Sequence, residues 1–172
     1  TVPSIADDAE KGFLFFYNIC QQNPQNPNLP KFVDIGGQHH TVFVLNGVPY
    51  RQIAMERLTP IKQGSFEEMM VWLLSDLATI PFIKWNDVVK EMLSPNGWRG
   101  AARTKTSANM PALIRARVQK DPGFEERMHN LFSTMQDLYT EGRAAGLGWD
   151  LHTENVMQRN DGTLVIVDPY YT

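Results

Sequence analysis

Residues 148–155, Gly148-Trp149-Asp150-Leu151-His152-Thr153-Glu154-Asn155, followed by 156–169 (VMQRNDGTLVIVDP), decide how this 172-residue chain is read. An acid, an imidazole and an amide are crowded into one short loop. Asn160-Asp161-Gly162 then marks a turn between the segments Asn155–Arg159 and Thr163–Val167, which together predict a hairpin. Leu164-Val165-Ile166-Val167 is apolar on both faces, as expected of a buried strand. The hairpin would carry Asp168, which ends that strand, back towards Asn155 and bring two oxygen ligands together. Such ligands suit Mg²⁺, which takes one or two protein carboxylates and leaves its other positions to water and substrate phosphates.

Before this loop the spacing predicts a long helix over 121–145, with Pro122 in its first turn and Gly146 and Gly148 ending it. Phe124, Met128, Leu131, Phe132, Met135, Leu138 and Tyr139 share one face. A second helix is expected over 65–79, opened by Ser65 and Glu68 as a capping box and carrying Phe66, Met69, Met70, Leu73, Leu74 and Leu77 inward. Its methionines read as core rather than as a binding surface. A third is expected over 4–21, with Phe13, Phe16, Tyr17 and Cys20 on one side, and a short one within 81–93. The proline- and asparagine-rich stretch 21–30 stops the first helix. Strands are expected at 31–35, 41–45 and 50–55, and Asn46-Gly47 is a hairpin signal between the last two, with Pro49 at a strand entrance or edge. Early strands, later helices and a terminal hairpin point to an α+β fold in a single domain.

Composition narrows the class. An apolar content of 42% and a charged content of 20% are those of an ordinary globular chain. No run reaches the 18 or more apolar residues of a membrane span, so no membrane role is expected. The single cysteine, Cys20, rules out an internal disulfide and fits a reducing, cytoplasmic setting; it reads as a core residue rather than a nucleophile, with no basic neighbour in sequence to activate it. The net charge of −3 conceals an asymmetry: residues 98–120 hold six basic side chains (Arg99, Arg103, Lys105, Arg115, Arg117, Lys120) and no acidic one, leaving 10 basic against 19 acidic elsewhere. A basic segment on an acidic body can meet an acidic protein or nucleic acid. A solvated loop and helix face is the plainer reading, and a protein is preferred to nucleic acid as the partner. His39-His40 lie on a strand or loop end and would point to opposite faces, which does not make a shared ion site. His129 reads as a solvated residue on the long helix.

The spacing of Asp150 and Asn155 resembles the catalytic loop of the protein-kinase-like superfamily, in which an Asp precedes a metal-binding Asn by five. Asp168 resembles the second metal-binding aspartate of that family, after the hairpin. His152 resembles the small-molecule kinase branch, the aminoglycoside and choline kinases, where Asp-x-His-x-x-Asn is usual. In order of elements the chain looks most like the compact early protein kinases of T7-like bacteriophages, including the ending Asp168-Pro169; only 148–169 carries a specific motif. The resemblance implies a reduced kinase-like fold, with a partial small lobe and hinge over 1–58 and a minimal large lobe over 59–172. It implies ATP and Mg²⁺ as cofactors, and Ser/Thr of a host protein as acceptor in the host cytoplasm. Asp150 and His152 are then the catalytic pair, and Asn155 and Asp168 the metal ligands. Met55 takes the gatekeeper position, the backbones of Glu56 and Leu58 face the adenine edge, and Met157 and Val167 touch the base from below. Glu10 on the first helix becomes the partner of a nucleotide-binding lysine.

The sequence departs from the family in several places. It has no Gly-rich phosphate loop, no strand before the first helix to carry the phosphate-binding lysine, Gly148-Trp149 before the aspartate, and Pro169-Tyr170 after Asp168. Either the small-lobe strands lie upstream of Thr1, or the fold is an inactive module that inhibits a host partner. The 172 residues alone are expected to turn ATP over weakly or not at all.

Overall fold

The computed structural model describes residues 8–38, 40–94 and 109–172, with side chains from Lys11 onward. Helix α1 (Asp8–Gln22) is followed by strand β1 (Phe32–Val33), the hairpin strands β2 (Thr41–Leu45) and β3 (Val48–Gln52), and the two-residue strands β4 (Ala54–Met55) and β5 (Thr59–Pro60). Helices α2 (Phe66–Ala78), α3 (Trp85–Leu93), α4 (Met110–Lys120) and α5 (Phe124–Ala144) come next. The chain closes with β6 (Gly148–Trp149), a 3₁₀ turn (Thr153–Asn155), β7 (Val156–Gln158), β8 (Leu164–Ile166) and β9 (Tyr170–Tyr171). All pairings are antiparallel: β1 with β4, β2 with β3, β5-β7-β8 in one sheet, and β6 with β9. The architecture is α+β, as the order of elements predicts.

The core forms where the apolar helix faces meet. Met70, Leu73, Leu74 and Leu77 of α2 pack with Leu131, Phe132, Met135 and Leu138 of α5, and Phe16, Ile19 and Cys20 of α1 join the same cluster with Leu164 and Ile166 of β8. Each such side chain contributes about 1.5–3 kcal/mol when taken fully out of water. The Cys20 thiol is buried, and that burial pushes its pKa up to about 12, which keeps it inert.

Helix ends follow local chemistry. Ser65 Oγ accepts the Glu68 N–H at 3.2 Å, while the Glu68 carboxylate turns to the Gly64 N–H, so the box closes one residue earlier than predicted. Pro122 stands outside the long helix: the turn Asp121-Pro122-Gly123 precedes it, with Asp121 Oδ1 accepting the Gly123 N–H. At the other end Gly146 takes φ 76°, Leu147 N–H reaches Gly142 O and Gly146 N–H reaches Arg143 O, a Schellman motif that feeds the chain straight into β6.

The structure corrects three expectations. The strand predicted at 50–55 breaks at Ile53 into β3 and β4, and the one at 31–35 shrinks to β1 plus a bridge from Ile35 to Gln38. Pro49 is the second residue of β3, opposite Val44, on a strand with a free edge, as the sequence predicts. Helix α4 falls within the basic segment, where no helix was expected; Met110, Leu113, Ile114 and Val118 recur at helical spacing, and Met110 and Ile114 are buried. The residues 95–108, including Arg99, Arg103 and Lys105, lie outside the described residues, as does His39. His129 is exposed, but its ring stacks on Trp85 at 4.7 Å between centroids.

Candidate functional site

The loop from β6 to β7 is fixed on three sides. Asp150 N–H donates to Pro169 O at 2.8 Å, and Val167 N–H donates to Asn155 O at 2.9 Å. These two bonds flank Asp168, so they place its backbone beside both Asp150 and Asn155. The β6–β9 pairing extends the clamp, with Gly148 opposite Tyr171 and Trp149 opposite Tyr170. Tyr170 is buried and its hydroxyl donates to Leu138 O at 2.7 Å. Trp149 meets the edge of Tyr139, with ring centroids 5.6 Å apart. A side chain at Gly148 would collide with the Tyr171 ring, its Cβ coming within 2.4 Å. The unusual Gly148-Trp149 and Tyr170-Tyr171 pairs are therefore two halves of one fastening.

Within the loop, Asn155 Nδ2 donates to Asp150 O at 2.6 Å, which commits the amide nitrogen and leaves Oδ1 as the atom for a cation. His152 Nδ1 accepts the Glu154 N–H at 3.3 Å and so caps the 3₁₀ turn. Its Nε2 stands 3.7 Å from Asp150 Oδ1 and 3.3 Å from Asn155 Nδ2. Asp168 is open to solvent on one side, yet the protein atoms crowding it, and secondarily the charge of Asp150, hold its pKa above the ordinary carboxylate range, with His152 opposing. A carboxyl pushed up this way keeps its proton to higher pH in the fold than in the unfolded chain. Its contribution is fullest below the unfolded value and is lost as pH rises through the folded one; a cation beside it would reverse that penalty.

The sequence-predicted group Asp150, His152, Asn155 and Asp168 is thus brought together. Among the described residues no three His, Cys, Asp or Glu side chains form a cage of their own. An amide oxygen and a carboxylate fit a hard cation that shares its shell with phosphate oxygens, which needs no such cage. Beside this group lies a cleft of about 740 Å³, walled by Pro60, Ile61, Glu68, Trp72, His152 and Met157 among others.

The expected base-binding residues divide. Met157 lines the cleft, whereas Met55, Glu56 and Leu58 stand outside its wall. Val167 is half-buried and Met55 pairs across from Phe32. Glu56 N–H is taken by Lys31 O at 2.8 Å, and its carboxylate grips Arg159 bidentately, Oε1 to Nη2 at 2.6 Å and Oε2 to Nε at 2.9 Å. Both the N–H and the carboxylate of Glu56 are therefore engaged within the protein. The side chain of Glu10 lies outside the described residues. Of the basic segment, Arg117 is engaged internally: its guanidinium lies 4.6 Å above the Phe66 ring and 3.4 Å from Glu67 Oε1, which removes it as a free partner contact.

Sequence reasoning missed Ser75, whose buried Oγ–H donates to Leu151 O at 2.9 Å. The signal was present: a hydroxyl in the middle of an otherwise apolar helix face. The sequence places Arg159 at the end of a hairpin strand; nothing local marks it as the partner of Glu56, Leu29 and Pro27.

No helix of the described residues is long and apolar enough to cross a membrane. Comparison with protein-family models, curated proteins and solved structures finds no match.

Proposed function

We propose that the chain is a kinase-like phosphotransferase acting with ATP and Mg²⁺, of the compact phage type, with a protein Ser or Thr hydroxyl as acceptor. The observation that supports this most is the convergence of Asp150, Asn155 and Asp168 through three hydrogen bonds, Asn155 Nδ2 to Asp150 O, Asp150 N to Pro169 O and Val167 N to Asn155 O. Asn155 Oδ1 and Asp168 would hold Mg²⁺, which supplies neutralisation of phosphate oxygen charge when bound. Asp150 would accept the acceptor hydroxyl's hydrogen bond and aim its oxygen. Phosphoryl transfer asks for this kind of positioning more than for covalent help from the protein. Met157 offers an apolar surface to a base in the cleft.

A second reading, an inactive module of the same fold that binds a host protein, is favoured by the β2–β3 hairpin, where Val42, Phe43, Val44, Leu45, Val48 and Tyr50 are all exposed. One experiment separates the two: titration calorimetry of ATP with and without Mg²⁺ on the chain, on Asp168→Ala and on Asp150→Asn, with transfer of labelled phosphate to a mixed protein substrate alongside. The kinase reading expects Mg²⁺-dependent binding that Asp168→Ala weakens at least tenfold and Asp150→Asn leaves within about threefold. It expects transfer by Asp150→Asn to fall by roughly 10³-fold or more, the scale of losing an aligned acid–base group. Binding by none of the three would sink it in favour of the binding module.

A further inference from the structure

We propose that Ser75 is a positioning residue for this site, holding the loop that carries Asp150 and His152 from beneath. This rests on the phosphotransferase reading above. Helix α2 buries Met70, Val71, Leu73, Leu74, Leu77 and Ala78, and Ser75 is the polar exception, only 5% exposed. A hydroxyl in such surroundings costs stability unless it is hydrogen-bonded, and an alanine would fill nearly the same space without that cost. The hydroxyl donates to Leu151 O at 2.9 Å, a bond buried at both ends that spans 76 positions of the chain.

The acceptor is what gives this bond its consequence. Leu151 is the residue between Asp150 and His152, and its side chain is itself buried. The side chain fixes where Leu151 sits, and the bond to Ser75 fixes how the peptide plane between 151 and 152 is turned. That plane sets the direction in which the chain leaves Leu151 and enters His152. The other groups that fix the loop act from the β9 side, through Pro169 O, or within the loop, through Asn155 Nδ2. Ser75 supplies the missing constraint from the helical core. The same helix takes a second hold two residues further along the loop, where Thr153 Oγ1 donates to Glu68 Oε1 at 3.3 Å. Misplacement of a reacting group by about 1 Å can cost on the order of 10²-fold in rate, so a residue that touches no substrate can still govern turnover.

The test compares wild type, Ser75→Ala and Ser75→Cys, whose thiol keeps the shape with a weaker donor. Turnover, KM for Mg·ATP, Mg·ATP affinity and the ¹H–¹⁵N spectrum are measured on each. Ser75→Ala is expected to lower kcat about 10- to 100-fold with KM and affinity within about threefold, Ser75→Cys falls between, and the amide resonances of 150–155 move in both. Unchanged kcat in Ser75→Ala overturns the proposal, and so does an equal loss of kcat and affinity, the mark of general destabilisation. Should Ser75→Ala fail to fold, Ser75→Cys with wild-type kcat overturns it alone. Wild type without any transfer sinks the phosphotransferase reading instead. The spectrum then decides for Ser75: displaced resonances confined to 150–155 uphold its hold on the loop, and an unchanged loop overturns it.

Discussion

Two hairpins in this molecule are built from similar apolar residues and have opposite fates. In β7–β8 the residues Leu164, Val165 and Ile166 are at most 4% exposed, while in β2–β3 Val44 and Leu45 are 67% and 55% exposed. Both are closed by turns suited to them: Asn46 and Gly47 both take positive φ, 53° and 79°, in the two-residue turn, and Asp161 Oδ1 caps the other by accepting Thr163 N–H at 2.9 Å. Turn chemistry therefore makes a hairpin but does not decide what it is worth. What distinguishes β7–β8 is the company brought to it from far along the chain. Strand β5 pairs with β7, Asn28 accepts the Ile166 N–H and donates its amide to Leu164 O, and Arg159 at the strand end is clasped by Glu56, Leu29 and Pro27. The candidate site is mounted on the hairpin with long-range support.

If that support is what matters, its strongest bond should be the costliest to lose. Replacing Arg159 with Met keeps the stem but strands Glu56, whose side chain is 22% exposed against 18% for Arg159. A loss of about 2–4 kcal/mol, roughly 5–15 °C in Tm, is expected by calorimetry. The pH dependence sharpens the test. The hydrogen bond from Arg159, the largest influence, and that from the Lys31 N–H hold the Glu56 pKa below its usual value of 4.5 against burial, which raises it. A depressed carboxylate stabilises above its unfolded pKa and loses that contribution as pH falls through the folded one. Wild type should therefore lose stability below about pH 4.5 more steeply than Arg159→Met. Parallel acid limbs would show that the pair adds little.

The next effect concerns the floor of the site. Gly142 lies where a Cβ would come within 2.3 Å of Tyr170 Cε1, and Tyr170 is locked by its bond to Leu138 O. Gly142→Ala should cost about 1–3 kcal/mol, the usual scale of overpacking, with a drop of roughly 3–10 °C in Tm. Because the displaced ring belongs to β9, the β6 side of the clamp should loosen with it, seen as faster amide exchange at Trp149 and Asp150. Loss of stability without faster exchange there would mean that β9 does not hold the loop.

How much of this could be read from residues alone follows the same division. The helices α2 and α5, the Asn46-Gly47 hairpin and the buried strand Leu164–Ile166 were legible because their signals are local: a cap, a turn pair, an apolar period. The grouping of Asp150, Asn155 and Asp168 was legible because one short hairpin closes it. The fastening of Gly148-Trp149 to Tyr170-Tyr171 was not, since it joins two-residue strands that no periodicity can reveal. Glu56 illustrates the same limit. Its position beside an apolar strand suggested a backbone role, while its partner lies 103 residues away in sequence. Arg117 looked like a free cation because the rings beneath it come from two other helices, Phe66 and Phe124.

The smallest effect tests the comparison most directly, because the same substitution can be made on both sides of it. Val165→Thr puts a hydroxyl into a position with no exposed surface, which should cost about 1–3 kcal/mol. Val44→Thr makes the identical chemical change on a side chain two-thirds exposed and should stay within about 0.5 kcal/mol. Thr is also a good strand former, so propensity does not separate the two sites. Both are measured by denaturant unfolding at several protein concentrations. Equal costs at 44 and 165 would break the distinction drawn between the hairpins, and a Val44→Thr cost that grows with concentration would mean that copies of the chain cover the exposed strands in solution. A near-zero cost at every concentration leaves β2–β3 a free apolar surface standing clear of the core.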